Sequence, residues 1–333
     1  MILSPRSIPF ISFIPFVRFA LAALALAASL ACAQNYPAKP IRMIVPFPPG
    51  GPTDIFGRMV AQRLSEAWGQ QVIADNRAGA GGNLGVDLAA HSPPDGYTIT
   101  MFTVAQSISP SVYSKLNFDP LKDFSYVTLV ALIPSVLMTH PSLPAKNVKE
   151  LVALAKARPD QLAFASTGNG TSPHILMEMF MQMTGTKMVH VPYKGASPAL
   201  IDQIAGQVQL AFNSAVGALP YAQQGKLRAL AVSTRQRFAA MPDLPTVDEA
   251  GVKGFDGSSW QGVAAPAGTP HEIVAKLNAE IVKMLREPAL KERILHTLGG
   301  IPVGNTPEQF AQFVRDETAK WAKVAKAANI RLD

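Results

Sequence analysis

The chain has 333 residues, of which 48% are hydrophobic and 16% charged. That composition excludes a disordered chain, and the length allows two domains of ordinary size. A single cysteine excludes an internal disulfide and a cysteine-based zinc site. The formal net charge of +7 invites a nucleic-acid interpretation. No basic run with interleaved aromatic residues supports it, so we expect no nucleic-acid partner.

The first 33 residues are typical of a secretory signal peptide. Arg6 and Arg18 precede an apolar stretch over residues 19–30, and an A-x-A cleavage site ends at Ala33. The apolar stretch is too short for an unbroken membrane-spanning helix, which disfavours the alternative of a transmembrane anchor. A lipoprotein attached through Cys32 is the other alternative. The sequence therefore predicts export to the periplasm, with residues 1–33 removed.

Strands and helices alternate along the rest of the chain. Short apolar, β-branched runs predict strands at residues 41–45, 97–102, 162–165, 188–191, 208–212 and 227–232. Helical periodicity with glycine or proline stops predicts helices at residues 53–68, 148–157, 175–184, 199–204, 219–224, 272–286, 289–298 and 308–328. This alternation predicts an α/β fold with mainly parallel sheets.

Three strand-to-helix loops have the composition of an anion site. They span residues 45–54, 165–173 and 191–198, and each combines glycine with a proline at the start of the next helix. Glycines allow close approach of the backbone, and a helix N-terminus presents free N–H groups at the positive end of its dipole. Ligands of open α/β sheets bind at the carboxyl ends of strands, where these loops lie.

Each loop also has a purely structural interpretation. Asp54 either caps the first turn of its helix or contacts a ligand, and Tyr193 and Lys194 either face a ligand or lie on the surface. The second loop is rich in serine, threonine and glycine. Its structural interpretation is a solvated turn without a ligand. The choice between these alternatives depends on tertiary contacts.

Motifs of enzymes are absent from the sequence. It contains no G-x-S-x-G, no G-x-x-x-x-G-K-[ST] and no H-E-x-x-H, and its six histidines form no i, i+4 pair. No pair of carboxylates suggests an acid–base dyad. We therefore expect a binding protein rather than an enzyme, with no metal and no cofactor.

Several longer stretches carry a resemblance to a known family. They lie at residues 36–54, 75–83, 94–98, 167–171, 190–195, 225–232, 244–246, 260, 265–270 and 320–321. With these stretches the chain resembles the Bug family of extracytoplasmic solute-binding proteins, which includes the receptors of tripartite tricarboxylate transporters. The resemblance implies a two-lobed type II periplasmic-binding-protein clamp with two crossing hinge strands. It also implies that a small carboxylate binds through amides, hydroxyls and water.

Carried over position by position, the resemblance implies a set of ligand-binding residues. Together with the loop interpretation, this set is Phe47, Gly50, Gly51, Asp54, Thr103, Ala105, Ser107, Ser166, Thr167, Gly168, Thr171, Ser172, Tyr193, Asn213 and Ser214. Two positions depart from the family pattern. Asn213 stands where related members usually have aspartate, and residues 104–106 replace a segment with histidine before the alanine. The lost negative charge favours a plain carboxylate over an amino acid.

The resemblance also implies a domain organisation and partners. Residues 34–132 and 263–333 are expected to form the first lobe and residues 133–262 the second, with crossings near residues 132–135 and 260–264. We expect a monomer that captures a small organic anion between the lobes and delivers it to the membrane subunits of a transporter. A periplasmic receptor for a signalling sensor, or an organic-acid enzyme on a similar frame, are the alternatives.

Overall fold

The structure, a computed structural model, describes residues 36–327 and 330–332. The predicted signal peptide, including the lipoprotein alternative at Cys32, lies outside these residues. Within the described part of the chain, no helix is both long and apolar enough to cross a membrane.

Ten strands form the sheet, and the predicted strands all occur with small shifts of their ends. The strands are β1 (Ile41–Val45), β2 (Val72–Asn76), β3 (Thr98–Thr103), β4 (Phe124–Thr139), β5 (Ala163–Ser166), β6 (Val189–Pro192), β7 (Leu210–Ser214), β8 (Arg228–Val232), β9 (Ser258–Pro266) and β10 (Ile301–Pro302). Local patterns did not predict β2, β4, β9 and β10, although the family resemblance implied crossing strands at residues that lie within β4 and β9.

The predicted helices all occur, most with shifted ends, whereas the helices at residues 83–90 and 104–112 were not predicted. The helices are α1 (Pro52–Trp68), α2 (Asn83–Ala90), α3 (Val104–Val112), α4 (Val148–Ala157), α5 (Ser172–Thr184), α6 (Ala196–Ile204), α7 (Ala215–Gln223), α8 (His271–Leu285), α9 (Pro288–Glu292) and α10 (Pro307–Ala327). The predicted helix at 289–298 is shorter as an α-helix, because a π-helical segment (Arg293–Thr297) follows α9.

The strand order is β2-β1-β3-β9-β4-β7-β5-β6, and β8 and β10 also pair with β4. The strands β1, β2 and β3 run parallel, as do β5, β6 and β7. The pairs β3–β9, β4–β9 and β4–β7 are antiparallel. The expectation of parallel sheets is therefore correct for each group of three strands, whereas the two long strands between the groups make the whole sheet mixed.

The long strand β4 passes from one group of strands to the other. Its residues 124–134 pair with β9, and its residues 135–139 pair with β7. The predicted crossings at residues 132–135 and 260–264 fall in β4 and β9. Residues 39–333 form one compact unit, and the predicted lobe boundaries remain a prediction.

A cluster of aromatic side chains joins the C-terminal helix to the central strands. Phe310 and Trp321 on α10 are fully buried, and Phe310 packs edge-to-face on Trp260 of β9. The Glu317 carboxylate accepts hydrogen bonds from the indole N–H groups of Trp260 and Trp321, at 3.0 and 2.8 Å. Gly262 leaves room for the Phe310 ring, because a Cβ at that position would lie 2.1 Å from it. The C-terminal helix α10 thus packs on the central strands of the sheet.

Candidate functional site

A cavity of about 90 Å³ is lined by the three predicted loops and by strands β4, β7 and β9. Since one buried water needs about 10–15 Å³ on this measure, the cavity accommodates several waters or a small ligand. Ten of the fifteen predicted site residues line it: Phe47, Gly51, Thr103, Ala105, Ser166, Thr167, Thr171, Ser172, Asn213 and Ser214. Gly50, Asp54, Ser107, Gly168 and Tyr193 do not.

Five helices begin at this cavity. Their N-cap residues are Gly51 for α1, Thr103 for α3, Thr171 for α5, Gly195 for α6 and Ser214 for α7, and all five line the cavity. The first N–H groups of a helix have no partner within the helix, and its N-terminus carries about half a positive charge. The cavity wall is therefore rich in hydrogen-bond donors and positive in potential.

Every described residue that lines the cavity is uncharged. Three buried side-chain atoms of the lining have no hydrogen-bond partner among the described residues: Ser172 Oγ, Ser214 Oγ and Gln261 Oε1. Leaving a buried polar atom unpaired costs about 1–3 kcal/mol, so such atoms indicate a place where a ligand or water supplies the missing bond.

The first loop is stabilised by its last residue, Asp54, which does not line the cavity. The Asp54 carboxylate accepts hydrogen bonds from the Gly50 N–H at 3.0 Å, from Arg58 Nε at 2.9 Å and from Asn76 Nδ2 at 2.9 Å. Asn76 Nδ2 also donates to the Phe47 carbonyl at 2.9 Å. Asp54 thus organises the backbone of the loop before the helix, a structural role that differs from the predicted cap of the first helical turn.

The electrostatics of Asp54 agree with this role. Burial by itself raises the pKa of the Asp54 carboxyl, but the hydrogen bonds from Arg58, Gly50 and Asn76 and the nearby charge of Arg58 outweigh burial and hold the pKa below its usual value. The side chain is 6% exposed, whereas that of Arg58 is 53% exposed. The negative charge of Asp54 is therefore compensated by Arg58, whose side chain faces solvent.

The second loop is stabilised by two of its own hydroxyl groups. Ser166 Oγ lies 2.6 Å from His190 Nε2, accepts from the Gly168 N–H at 3.2 Å and donates to the Gly168 carbonyl at 3.1 Å. Thr171 Oγ1 donates to the same carbonyl at 2.6 Å. The N–H and the carbonyl of Gly168 are therefore both hydrogen-bonded within the loop, and Gly168 does not line the cavity.

Two stacked histidines lie beneath this loop. The rings of His174 and His190 stack with centroids 4.0 Å apart, and the Gly170 N–H donates to His174 Nδ1 at 3.2 Å. Burial, with a smaller contribution from His174, lowers the pKa of His190 to about 3. His190 is therefore neutral at physiological pH and acts as a hydrogen-bonding partner of Ser166.

The third loop contributes backbone atoms more than side chains to the cavity wall. The Tyr193 hydroxyl donates to Asp202 Oδ2 at 2.8 Å, and burial together with this carboxylate raises the pKa of Tyr193 to about 12. The tyrosine therefore connects the third loop to the last turn of α6, outside the cavity lining. Gly195 and Ala196 of the same loop line the cavity.

Glycines permit close contact between loops on either side of the cavity. Gly81, with φ of +65°, lies so near the second loop that a Cβ there would be 2.7 Å from the Asn169 carbonyl oxygen. The Tyr113 hydroxyl donates to the same carbonyl at 3.3 Å. A Cβ on Gly195 would lie 3.2 Å from Pro48 of the first loop. Pro48 and Gly195 line the cavity, whereas Gly81 and Asn169 lie outside its lining.

The segment after β3 differs from its expected form. Thr103, Ala105 and Ser107 were placed at a strand end, but Ala105 and Ser107 belong to α3, which begins in a capping box between Thr103 and Gln106. The S/T-x-x-Q pattern of a capping box is visible in the sequence and was missed. Because the chain turns helical there, Ser107 is fully buried, away from the cavity lining.

Sequence reasoning also missed three polar residues on the long strands. Ser135 of β4 and Ser259 and Gln261 of β9 line the cavity. A signal for the last two was available, since side chains two residues apart in a strand lie on the same face. Among the described residues, no group of three or more histidine, cysteine, aspartate and glutamate side chains is arranged to hold a metal ion.

Comparison with known proteins adds to this geometry. The profile described as "Tripartite tricarboxylate transporter family receptor" matches residues 56–330. Protein BugT of Bordetella pertussis is 39% identical over 311 residues, which cover 92% of this chain and 94% of BugT.

Two similar solved structures hold ligands. The structure of R. palustris Rpa4515 with adipate has a TM-score of 0.86 and 37% identity, and the match covers 89% of this chain and 100% of that one. MatC from Rhodopseudomonas palustris with bound malate has a TM-score of 0.82 and 31% identity, over 87% and 99% of the two chains.

Proposed function

We propose that this chain, which belongs to the tripartite tricarboxylate transporter receptor family, binds a small dicarboxylate in the cavity and delivers it to the membrane subunits of a transporter. Members of the family are solute-binding receptors rather than enzymes. The observation that carries the ligand class is the convergence of five helix N-termini on a cavity without a charged side chain.

Such a wall suits a carboxylate better than a cation or a neutral apolar molecule. Helix N-termini and backbone N–H groups stabilise negative charge without a fixed counter-ion. The unpartnered hydroxyls of Ser172 and Ser214 add donors at two of those termini. Because the donors lie on several walls, a molecule with a carboxylate at each end satisfies more of them than a monocarboxylate does.

The ligands of the similar structures support this class. Adipate in Rpa4515 and malate in MatC are both small dicarboxylates. At 37% and 31% identity the local geometry of the loops is expected to be shared. We therefore infer a dicarboxylate of similar size for this chain.

We infer further that the ligand is enclosed by two lobes, made of residues 34–132 with 263–333 and of residues 133–262. The contacts of Gly81 with Asn169 and of Gly195 with Pro48 join segments of the two lobes around the cavity. Closure about β4 and β9 is then a shift of population towards the state in which both sets of donors reach the ligand. The protein acts as an exported monomer without a cofactor or a nucleic-acid partner, and its signal peptide is removed.

Native mass spectrometry of the protein as purified, followed by titration calorimetry, tests the ligand class. We expect a retained or titratable dicarboxylate bound one to one. As a matched control, a diamine of the same chain length should not bind, because it presents donors to a wall of donors. Binding of the diamine, or of no dicarboxylate, would contradict the proposed class.

Uptake by cells tests the delivery step. Cells that lack this chain should lose uptake of the labelled ligand, and the full-length gene should restore it. Intact mass of the exported protein should correspond to a chain that begins at Gln34. Unchanged uptake in the deletion strain would contradict a role in transport and favour the sensor alternative.

A further inference from the structure

A pair of side-chain amides forms one wall of the cavity. Asn213 of β7 lines the cavity, and its Nδ2 donates to Gln203 Oε1 at 2.6 Å. Gln203 of α6 is fully buried, and its Nε2 donates to the carbonyl oxygen of Met138 at 2.9 Å. The two amides and the carbonyl therefore form a chain of hydrogen bonds that ends at the cavity.

The carbonyl at the inner end fixes the orientation of both amides. A backbone carbonyl only accepts hydrogen bonds, so the Gln203 group that faces Met138 is the Nε2 amine. The Oε1 atom of Gln203 then faces Asn213, and it requires the Nδ2 amine of Asn213 on that side. The remaining polar atom of the Asn213 side chain, the acceptor Oδ1, is left for the cavity.

This acceptor differs from most of the cavity wall. Among the described residues, Oδ1 of Asn213 receives no hydrogen bond, whereas the five helix N-termini around it present donors. A carboxylate oxygen has no hydrogen to give to Oδ1 and is repelled by it. A hydroxyl has one, and its own oxygen accepts from the neighbouring donors.

An ammonium group is a poorer match for the same position. It is a charged donor, and burying it favourably requires a carboxylate partner. No acidic side chain of the described chain lines the cavity. A neutral amide oxygen satisfies one hydrogen of the ammonium and leaves its charge uncompensated.

We infer that Asn213, held by Gln203, selects a ligand that carries a hydroxyl beside its carboxylate over the matching unsubstituted and amino acids. This inference rests on the proposed function, since it concerns the dicarboxylate in the same cavity. Asn213 contacts the ligand, and Gln203 is a positioning residue that keeps the Asn213 amide from rotating.

Two series of ligands that differ in a single substituent test the inference. Succinate, malate and aspartate form the first series, and adipate, 2-hydroxyadipate and 2-aminoadipate form the second, with each enantiomer measured separately. Titration calorimetry on the purified protein should give, in at least one series, a hydroxy acid bound about tenfold more tightly than the other two, as expected for one added hydrogen bond.

Two variants test the roles of the residues. In Gln203→Met the Asn213 amide loses its fixed orientation, and in Asn213→Ala the acceptor is removed. Both should bring the ratio of hydroxy to unsubstituted acid to within about twofold. Asn278→Ala is the control, because its amide also donates to two backbone carbonyls but lies outside the cavity lining. It should lower stability and leave the ratio unchanged.

The outcomes are distinguishable. An unsubstituted or amino acid that binds as tightly as its hydroxy counterpart in both series would overturn this inference and leave the proposed function intact. A hydroxyl preference that persists in both Asn213→Ala and Gln203→Met would also overturn it. Failure of all six acids to bind would overturn the proposed function and this inference with it.

Discussion

The first and second loops present similar surfaces to the cavity but are supported by different chemistry. Behind the first loop lies an ionised carboxylate, Asp54, with Arg58 and Asn76 as its partners. Behind the second loop lie neutral groups, the Ser166 hydroxyl and the His190 imidazole. In neither case does a charge line the cavity. The comparison indicates that this site keeps the full charges of Asp54 and Arg58 out of the cavity lining and offers the ligand only partial charges.

The largest expected effect comes from removing the ionised support of the first loop. In Asp54→Asn one oxygen becomes an amine that faces the donors Gly50, Arg58 or Asn76. We expect the free energy of unfolding to fall by about 3 kcal/mol, because a buried charged group loses its hydrogen bonds. Ligand affinity should fall by at least about tenfold, since the loop loses its geometry. Chemical denaturation and calorimetry measure both.

Glu66→Gln on the same helix is the matched control. Glu66 is exposed and pairs with Arg63 on the solvent side of α1. Its stability change should stay within about 0.5 kcal/mol. Equal effects of the two substitutions would show that Asp54 is an ordinary surface carboxylate.

The next effect concerns the ligand-facing side of the second loop. Ser172 Oγ is buried and unpartnered among the described residues, so Ser172→Ala removes no internal hydrogen bond. We expect ligand affinity to fall about tenfold, as for one hydrogen bond to a charged group, with an unchanged or raised Tm. A thermal melt and a titration together give this combination.

Ser109→Ala should show the opposite combination. Ser109 Oγ is bonded to Asn83 Oδ1 at 2.8 Å and to the Ala105 carbonyl at 2.7 Å, and Ser109 does not line the cavity. We expect a loss of about 1 kcal/mol in stability and unchanged affinity. A destabilised Ser172→Ala with normal affinity would contradict the assignment of Ser172 to the ligand.

The difference in charge between the loops predicts a particular response to pH. The pKa of His190 is lowered to about 3 in the folded state, below the ordinary value of 6.5, so the unfolded chain binds more protons between these values. Stability is therefore full above pH 6.5 and is lost as the pH falls towards 3. Because His190 is partly exposed, we expect a loss of about 1 kcal/mol between pH 6.5 and 5.

A substitution of His190 tests whether this residue causes the loss of stability between pH 6.5 and 5. His190→Gln keeps a hydrogen-bonding group beside Ser166 and should flatten the slope between pH 6.5 and 5. The groups in contact with His190 are Ser166, the stacked ring of Phe164 and the stacked His174, whose Nε2 lies 3.6 Å from Glu178. His296→Gln, at an exposed position, should leave the slope as it is. An unchanged slope in His190→Gln would assign the effect to another group.

The smallest effect concerns the contact of the second loop with Gly81. Gly81 and Gly69 both have φ of +65°, but a Cβ on Gly69 meets nothing within 4 Å. Gly69→Ala and Gly81→Ala should share a backbone cost of about 1 kcal/mol. Only Gly81→Ala should also weaken ligand binding, about fivefold, because its Cβ collides with the Asn169 carbonyl in the enclosed state. Equal affinities of the two variants would show that this contact does not contribute to enclosure.

Local patterns predicted the loops that line the candidate cavity. The glycine and proline pairs of the first two loops predicted strand-to-helix turns, and the structure brings both loops to one cavity. Family resemblance added Asn213 and Ser214, for which no local pattern exists. Tyr193 was placed in the right loop, but its hydroxyl bonds to Asp202 instead of lining the cavity. The direction of a long side chain depends on neighbours that the loop sequence does not contain.

The long strands illustrate what local patterns miss. Strand β4 extends over 16 residues that are buried almost throughout, so it shows no alternation of apolar and polar residues from which to recognise a strand. Its length follows from pairing with β9 on one part and with β7 on the other. Ser135 and Gln261 line the cavity only because these pairings place β4 and β9 along its wall.

The sequence by itself determined the class of this protein: an α/β chain with the pattern of an export signal, glycine-rich loops at strand ends and the motifs of one receptor family. Those features can be read from short stretches of the chain and from their order along it. The tertiary structure decided which atoms the cavity offers. Gln203 is 65 residues from Met138 and 10 from Asn213. Only the packing of α6 against the sheet brings them into the hydrogen-bonded order that leaves the Asn213 oxygen for the ligand.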